Sequence, residues 1–161
     1  MVRVFTIRSK GEGYVADVFD NQDGSYEFTG DLDVDVDGSP NWERDPCGQP
    51  DTSLHYQGNP INSDAVPGIV LPPECIRFVK GTVLGCQAQA KYLGRVAEAV
   101  VFDVGPHSKL GEGSAELARR LGINDNPNNG GLDAPEVLYR YWPGIPAVVD
   151  GITYELKRWL N

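Results

Sequence analysis

Apolar residues fall in short runs that alternate with polar ones and are closed off by turn residues. Val2–Ile7 (VRVFTI), Tyr14–Phe19 (YVADVF) and Ser25–Phe28 (SYEF) read as strands, with Asn21–Gly24 (NQDG) as the turn between the last two. Asp31–Gly38 (DLDVDVDG) has a strict period of two. As a strand it puts Leu32, Val34 and Val36 on one face and Asp31, Asp33 and Asp35 on the other. Gly68–Pro72 (GIVLP), Glu74–Val79 (ECIRFV), Thr82–Ala90 (TVLGCQAQA), Val96–Asp103 (VAEAVVFD), Val137–Trp142 (VLYRYW) and Ile152–Leu160 (ITYELKRWL) are further expected strands. The last follows Asp150-Gly151, a hairpin signal. One segment has helical spacing: in Ser114–Gly122 (SAELARRLG), Leu117, Ala118 and Leu121 share a face and Gly122 stands where a C-terminal cap belongs. Residues 38–67 hold five prolines and little apolar periodicity, a loop long enough to suggest function. Residues 123–135 form a second polar loop. Many short strands with one or two short helices and long loops predict a mainly β fold, a closed or nearly closed barrel.

At 161 residues the chain fits a single domain spanning residues 1–161. The net charge of −9 excludes nucleic acid and anionic membrane surfaces as natural partners and favours a polycation. No apolar run approaches the ~20 residues of a membrane-spanning helix. The opening MVRVFTIRSK lacks the charged-then-apolar pattern of a signal peptide, which leaves the compartment open. Cys47, Cys75 and Cys86 are an odd set without a C-x-x-C pair. That argues against a zinc or thioredoxin-type site and leaves either one disulfide with a free thiol or three small apolar side chains. Nothing in the spacing calls for a cofactor, and a monomer is expected.

The candidate chemistry lies in residues 101–122. Asp103 ends an apolar strand, Gly105-Pro106 turns the chain, and Glu112 stands between Gly111 and Gly113 just before the helix. Glycosidic cleavage needs this pair of groups: one carboxylic acid to protonate the leaving oxygen, one carboxylate to activate water or attack the sugar. The plainer alternative is that Asp103 caps a turn and Glu112 complements a helix N-terminus. Asp33, Asp35 and Asp37 are either a carboxylate row facing a groove that holds ammonium groups or a solvated strand face. A calcium-loop reading counted from Asp33 puts Arg44 where a bidentate Glu is required, so no metal is expected. Trp42 and Tyr139 are candidates for stacking on sugar rings, although Tyr139 and Tyr141 point the same way and one set of aromatics belongs to the core. His107, just after the turn, is a candidate substrate contact.

Four motifs, LDVDVDG (32–38), VPGIVLP (66–72), VVFDVGP (100–106) and GEGSAELA (111–118), resemble in order and approximate spacing those of the family 75 glycoside hydrolases, the chitosanases. The resemblance implies that Asp103 and Glu112 are the essential pair, that the substrate is chitosan or a related amino-sugar glycan cut internally with inversion, and that the protein is secreted. The strand–turn–helix D-x-G-P…SAELARRLG also resembles that of double-psi β-barrels, which implies a six-stranded barrel crossed by a polysaccharide groove. Asp103, at an apolar strand end, is then expected to be the acid, and Glu112, near a helix N-terminus, the base. Two alternatives stay open: a peptidoglycan-cleaving muramidase or lytic transglycosylase, needing Asp103 alone in the latter case, and a non-catalytic glycan-binding module of expansin type.

Overall fold

The computed structural model describes residues 1–9 and 11–160. In chain order the strands are β1 (Val2–Arg8), β2 (Val15–Asp20), β3 (Tyr26–Asp35), β4 (His55–Tyr56), β5 (Asn59–Pro60), β6 (Gly68–Leu71), β7 (Cys86–Tyr92), β8 (Arg95–Val104), β9 (Glu112–Ser114), β10 (Leu132–Pro146), β11 (Val148–Val149) and β12 (Ile152–Thr153). Two short helices, α1 (Pro73–Phe78) and α2 (Ala115–Arg120), accompany them. Six strands close a barrel in the order β3-β10-β7-β8-β6-β9, with β9 pairing back to β3. Two of the six pairings are parallel, β3–β9 and β6–β8. Exchanging β3, β6 and β7 for β8, β9 and β10 leaves the pairing pattern unchanged, which is the expected double-psi arrangement. The β1–β2 hairpin extends the sheet outward from β3.

The alternation read in the sequence sorts the residues between the two faces of this sheet. Leu32, Val34, Ile69, Leu71, Ala97, Ala99, Val101 and Tyr139 belong to one buried cluster that fills the barrel. A second cluster lies outside the barrel wall: Val70, Val100 and Phe102 are covered by Leu54 and Ile61 from the long loop and by Ala147, Val149 and Tyr154 from the C-terminal segment. The 38–67 loop therefore contributes to a core despite its polarity. It carries the small β4–β5 hairpin and lies against the outer face of β6 and β8, where the backbone N–H of Leu54 donates to the Phe102 carbonyl.

Two expected strands are corrected. Glu74–Phe78 is helical, because Pro73 at the first helical position has its φ preset and Cys75, with Val79 at the residue that ends the helix, supplies the buried face. Of Ile152–Leu160 only Ile152–Thr153 is a strand; Asp150 (φ 52°) and Gly151 (φ 78°) form the two-residue turn of its hairpin. Beyond it, Tyr154 packs into the outer cluster and Lys157 forms a single bridge to Leu84. All three cysteines are free thiols; Cys75 and Cys86 are buried as small apolar groups, whereas Cys47 is exposed. Among the described residues no helix is long and apolar enough to cross a membrane.

Candidate active site

Asp103 owes its position to an irregularity in β8. Ala97, Ala99 and Val101 point into the barrel, and simple alternation would send Asp103 after them. The β6–β8 register shifts between Ile69–Val101 and Val70–Asp103, so Phe102 is an extra residue on β8. Such a bulge re-aims the side chain that follows it. Asp103 pairs with the outward-facing Val70, and its Oδ1 accepts from Ser53 Oγ (2.7 Å), Ser53 N (3.2 Å) and Val104 N (3.0 Å).

Glu112 is set by β9, a three-residue strand wedged between β6 and β3. It is paired with Val70 on one side and with Asp33 on the other. Asp103, Val70, Glu112 and Asp33 thus form one row across four strands. Asp103 and Glu112 stand two strands apart, roughly 10 Å between backbones at the usual strand spacing. Gly105 makes room for the Glu112 carboxylate: a Cβ at position 105 would lie 2.5 Å from Glu112 Oε2. That oxygen is buried and has no hydrogen-bond partner among the described residues.

The acidic strand runs alongside this row. Asp31 is fully buried and accepts from Tyr14 Oη (2.7 Å). A side chain at Gly111 would collide with its carboxylate, and the positive φ of Gly111 (83°) suits glycine as well. Asp33 lies 3.1 Å from the Lys109 ammonium, which also stands 3.9 Å from both Glu12 and Glu112. Much of the expected ammonium-binding capacity of Asp33 is taken by this internal cation. Asp35 and Asp37 converge on Asp103, with carboxylate oxygens of all three within 4.8 Å of one another. Asp37 accepts from Gln49 N (2.8 Å), and Asp35 from Asp37 N (2.7 Å). Glu12, Asp31 and Asp33 form a second group of the same tightness. Either triad offers oxygen ligands to a hard cation. The second already has Lys109, and in the first, protons can relieve the repulsion.

The protonation pattern departs from the expected one. Burial pushes Glu112 up to about 7 against the opposing pull of Lys109, with repulsion from Asp33, Asp37 and Asp103 adding to the rise. Burial also raises Asp103, but its Ser53 and Val104 donors favour the ionised form. Asp35 and Asp37 are both raised, by burial first and then by neighbouring carboxylates. The helix dipole expected to keep Glu112 ionised is outweighed: α2 has six residues, its N-cap is Ser114, and Glu112 lies outside its first turn with its side chain only 18% exposed.

A cleft of about 470 Å³ follows the acidic strand, lined by Asp33, Asp35, Asp37, Asp45, Lys109 and Glu112 among others. It meets at Asp37 a second cleft that reaches Ser53 and Asp103. Of the remaining expected contacts, Tyr139 is corrected. It is buried in the barrel, stacked on Phe28 with centroids 5.1 Å apart, and donates to the Asp31 carbonyl (2.5 Å), so it has no face free for a sugar. His107 is exposed, 3.6 Å from Glu74, and lines a separate cleft with Arg8 and Ser108. Trp42 is half-buried on a 3-10 turn (Trp42–Arg44); its neighbours Asp45 and Cys47 line the acidic cleft, but Trp42 itself does not. Ser53 and Lys109 were not singled out from the sequence. Lys109 had a legible signal, three residues before Glu112 and just after the Gly105-Pro106 turn, whereas Ser53 sits in a polar loop with no pattern to mark it.

No protein-family model matches the chain, and no curated protein matches it.

Proposed function

We propose that this protein is a glycoside hydrolase acting on a β-1,4-linked amino-sugar glycan of the chitosan type. The observation that carries the reading is the convergence of Asp35, Asp37, Asp103 and Glu112, from β3, the turn after it, β8 and β9, along a groove on the outer barrel face. Three carboxylates packed around one point bind a substrate ammonium with a gain from relieved repulsion as well as direct attraction. In this reading Glu112, protonated near neutral pH, is the general acid on the leaving oxygen. Asp103, raised by burial but with Ser53 and Val104 donors that favour its charged form, is the base that takes a proton from water attacking the anomeric carbon. This reverses the assignment expected from sequence. The two-strand separation leaves room for that water and favours inversion.

The test is a reducing-end assay on chitosan, chitin and peptidoglycan side by side, with early products followed by proton NMR. Chitosan should be cleaved with the α-anomer appearing first. Asp103→Asn and Glu112→Gln should each lose at least ~10² in kcat, the usual scale of general acid–base catalysis. Near-full activity of Glu112→Gln would overturn the two-carboxylate mechanism, and a 1,6-anhydro product would replace hydrolysis by transglycosylation.

A further inference from the structure

The groove does not end at Asp103. Asp51, Thr52 and Ser53, which line the cleft at Asp103, also line a further cleft of about 360 Å³ on the other side of the loop. Its far wall is Lys157, Arg158 and Trp159. Ser53 joins the two: its hydroxyl donates to Asp103 (2.7 Å), while its carbonyl accepts from Lys157 Nζ (2.9 Å). The catalytic carboxylate and this ammonium are thus held on opposite sides of one residue.

The two arms have opposite charge. Beyond Asp37 the groove is walled by carboxylates with Lys109 as the cation among them. Beyond Ser53 the cations are Lys157 and Arg158, and among the described lining residues the one carboxylate, Asp51, is engaged by His55 Nε2 at 2.7 Å. Arg158 pairs with no carboxylate among the described residues, so its guanidinium is available to a ligand. Trp159 is half-buried against the outer core cluster, so its ring is a fixed apolar wall. A half-buried aromatic ring in a cleft that also carries two cations suits a sugar ring that bears a carboxylate, with stacking for the ring and a charge-assisted contact for the acid.

We propose that the Lys157–Arg158–Trp159 cleft is the second arm of the substrate groove and takes a carboxylate-bearing saccharide unit. The natural substrate is then a glycan in which amino sugars neighbour acidic sugars, and a uniform polycation fills only the arm on the Glu112 side. This inference rests on the glycosidase reading for its geometry, but binding tests it separately.

The experiment uses the full chain carrying Asp103→Asn, so that ligands are not consumed. Calorimetry compares a chitosan oligosaccharide, a peptidoglycan-derived oligosaccharide with free carboxylates, and the latter after amidation of those carboxylates. The carboxylate form should bind at least ~10-fold more tightly than its amidated form. Adding Arg158→Glu should remove most of that difference, and Trp159→Ala should weaken both forms. Circular dichroism establishes that each variant is folded. Equal binding of the free and amidated forms, an unchanged ratio in Arg158→Glu, or no binding of any oligosaccharide would overturn the proposal. Carboxylate-selective binding by a chain whose parent cleaves none of the three would uphold the cleft and sink the hydrolase reading instead.

Discussion

At the scale of single residues, the site depends on how closely the backbone is allowed to approach Glu112. Gly105 is the position to test, because an added methyl would meet Glu112 Oε2 at 2.5 Å and Val70 at 3.2 Å. The carboxylate is the movable partner, so Gly105→Ala should displace it while the barrel stays folded. We expect kcat to fall at least ~10-fold with the melting temperature nearly unchanged, since small misplacements of catalytic groups are costly. A parallel loss of both would mean that Gly105 is needed for folding. Lys109 tests the proton bookkeeping. It opposes the rise of Glu112, which lies at about 7. If Glu112 is the acid, activity falls as pH rises through that value, because the proton is lost. Lys109→Met removes a cation from 3.9 Å away and should move the falling limb to higher pH. A downward shift would contradict the assignment.

At the scale of elements, short pieces are held by shared side chains more than by their own hydrogen bonds. A six-residue helix such as α2 is too short to persist alone. Ser114 anchors it: fully buried, its Oγ accepts from Leu117 N (3.1 Å) and Gly68 N (2.9 Å) and donates to the Val66 carbonyl (2.7 Å). One hydroxyl caps the helix and ties β9 to the start of β6. Ser114→Ala strands two buried donors and an acceptor and should cost about 2–4 kcal/mol, from the cap together with the unsatisfied groups. Chemical denaturation measures it, and a loss below about 1 kcal/mol would show that the three contacts are dispensable. The same element view explains the strands legible in sequence. β3 and β8 declare themselves by alternation, and α2 by its spacing and by Gly122 at its C-terminal end (φ 73°). Helix α1 did not, because six residues mixing apolar Cys75, Ile76 and Phe78 with charged Glu74 and Arg77 fit either period, and only the burial of Cys75 and of Val79 just after it decides.

At the scale of the whole molecule, the site lowers stability at neutral pH. Glu112 binds its proton more tightly folded than unfolded, so the folded chain holds the extra proton between about 4.5 and about 7. Stability is then greatest below the unfolded value and declines as pH rises through that window, by as much as about 3 kcal/mol for this group. Asp35, Asp37 and Asp103 shift in the same direction and add to the decline. Glu112→Gln should therefore raise the melting temperature at pH 8 relative to the wild type and change it little at pH 5. A variant less stable than wild type at pH 8 would show that the ion pair with Lys109 outweighs the burial.

The sequence by itself determined the fold class, the faces of β3, the helix α2, and Asp103 and Glu112 as the candidate pair. Each follows from local periodicity or from glycine and proline beside a carboxylate, and these constraints act within a few residues. It did not determine which carboxylates meet. Asp35 and Asp37 adjoin Asp103, nearly seventy residues away, because the barrel closes and an extra residue, Phe102, turns Asp103 outward. Nor did it determine their protonation: burial raises Glu112, and Ser53, fifty residues upstream in a loop without pattern, favours the charged form of Asp103. Tyr139 and Tyr141, both expected to face the same way, do so into the core, because β10 turns that face inward between β3 and β7. Solvation and charge proximity are properties of the assembled surface, so only the tertiary structure could decide them.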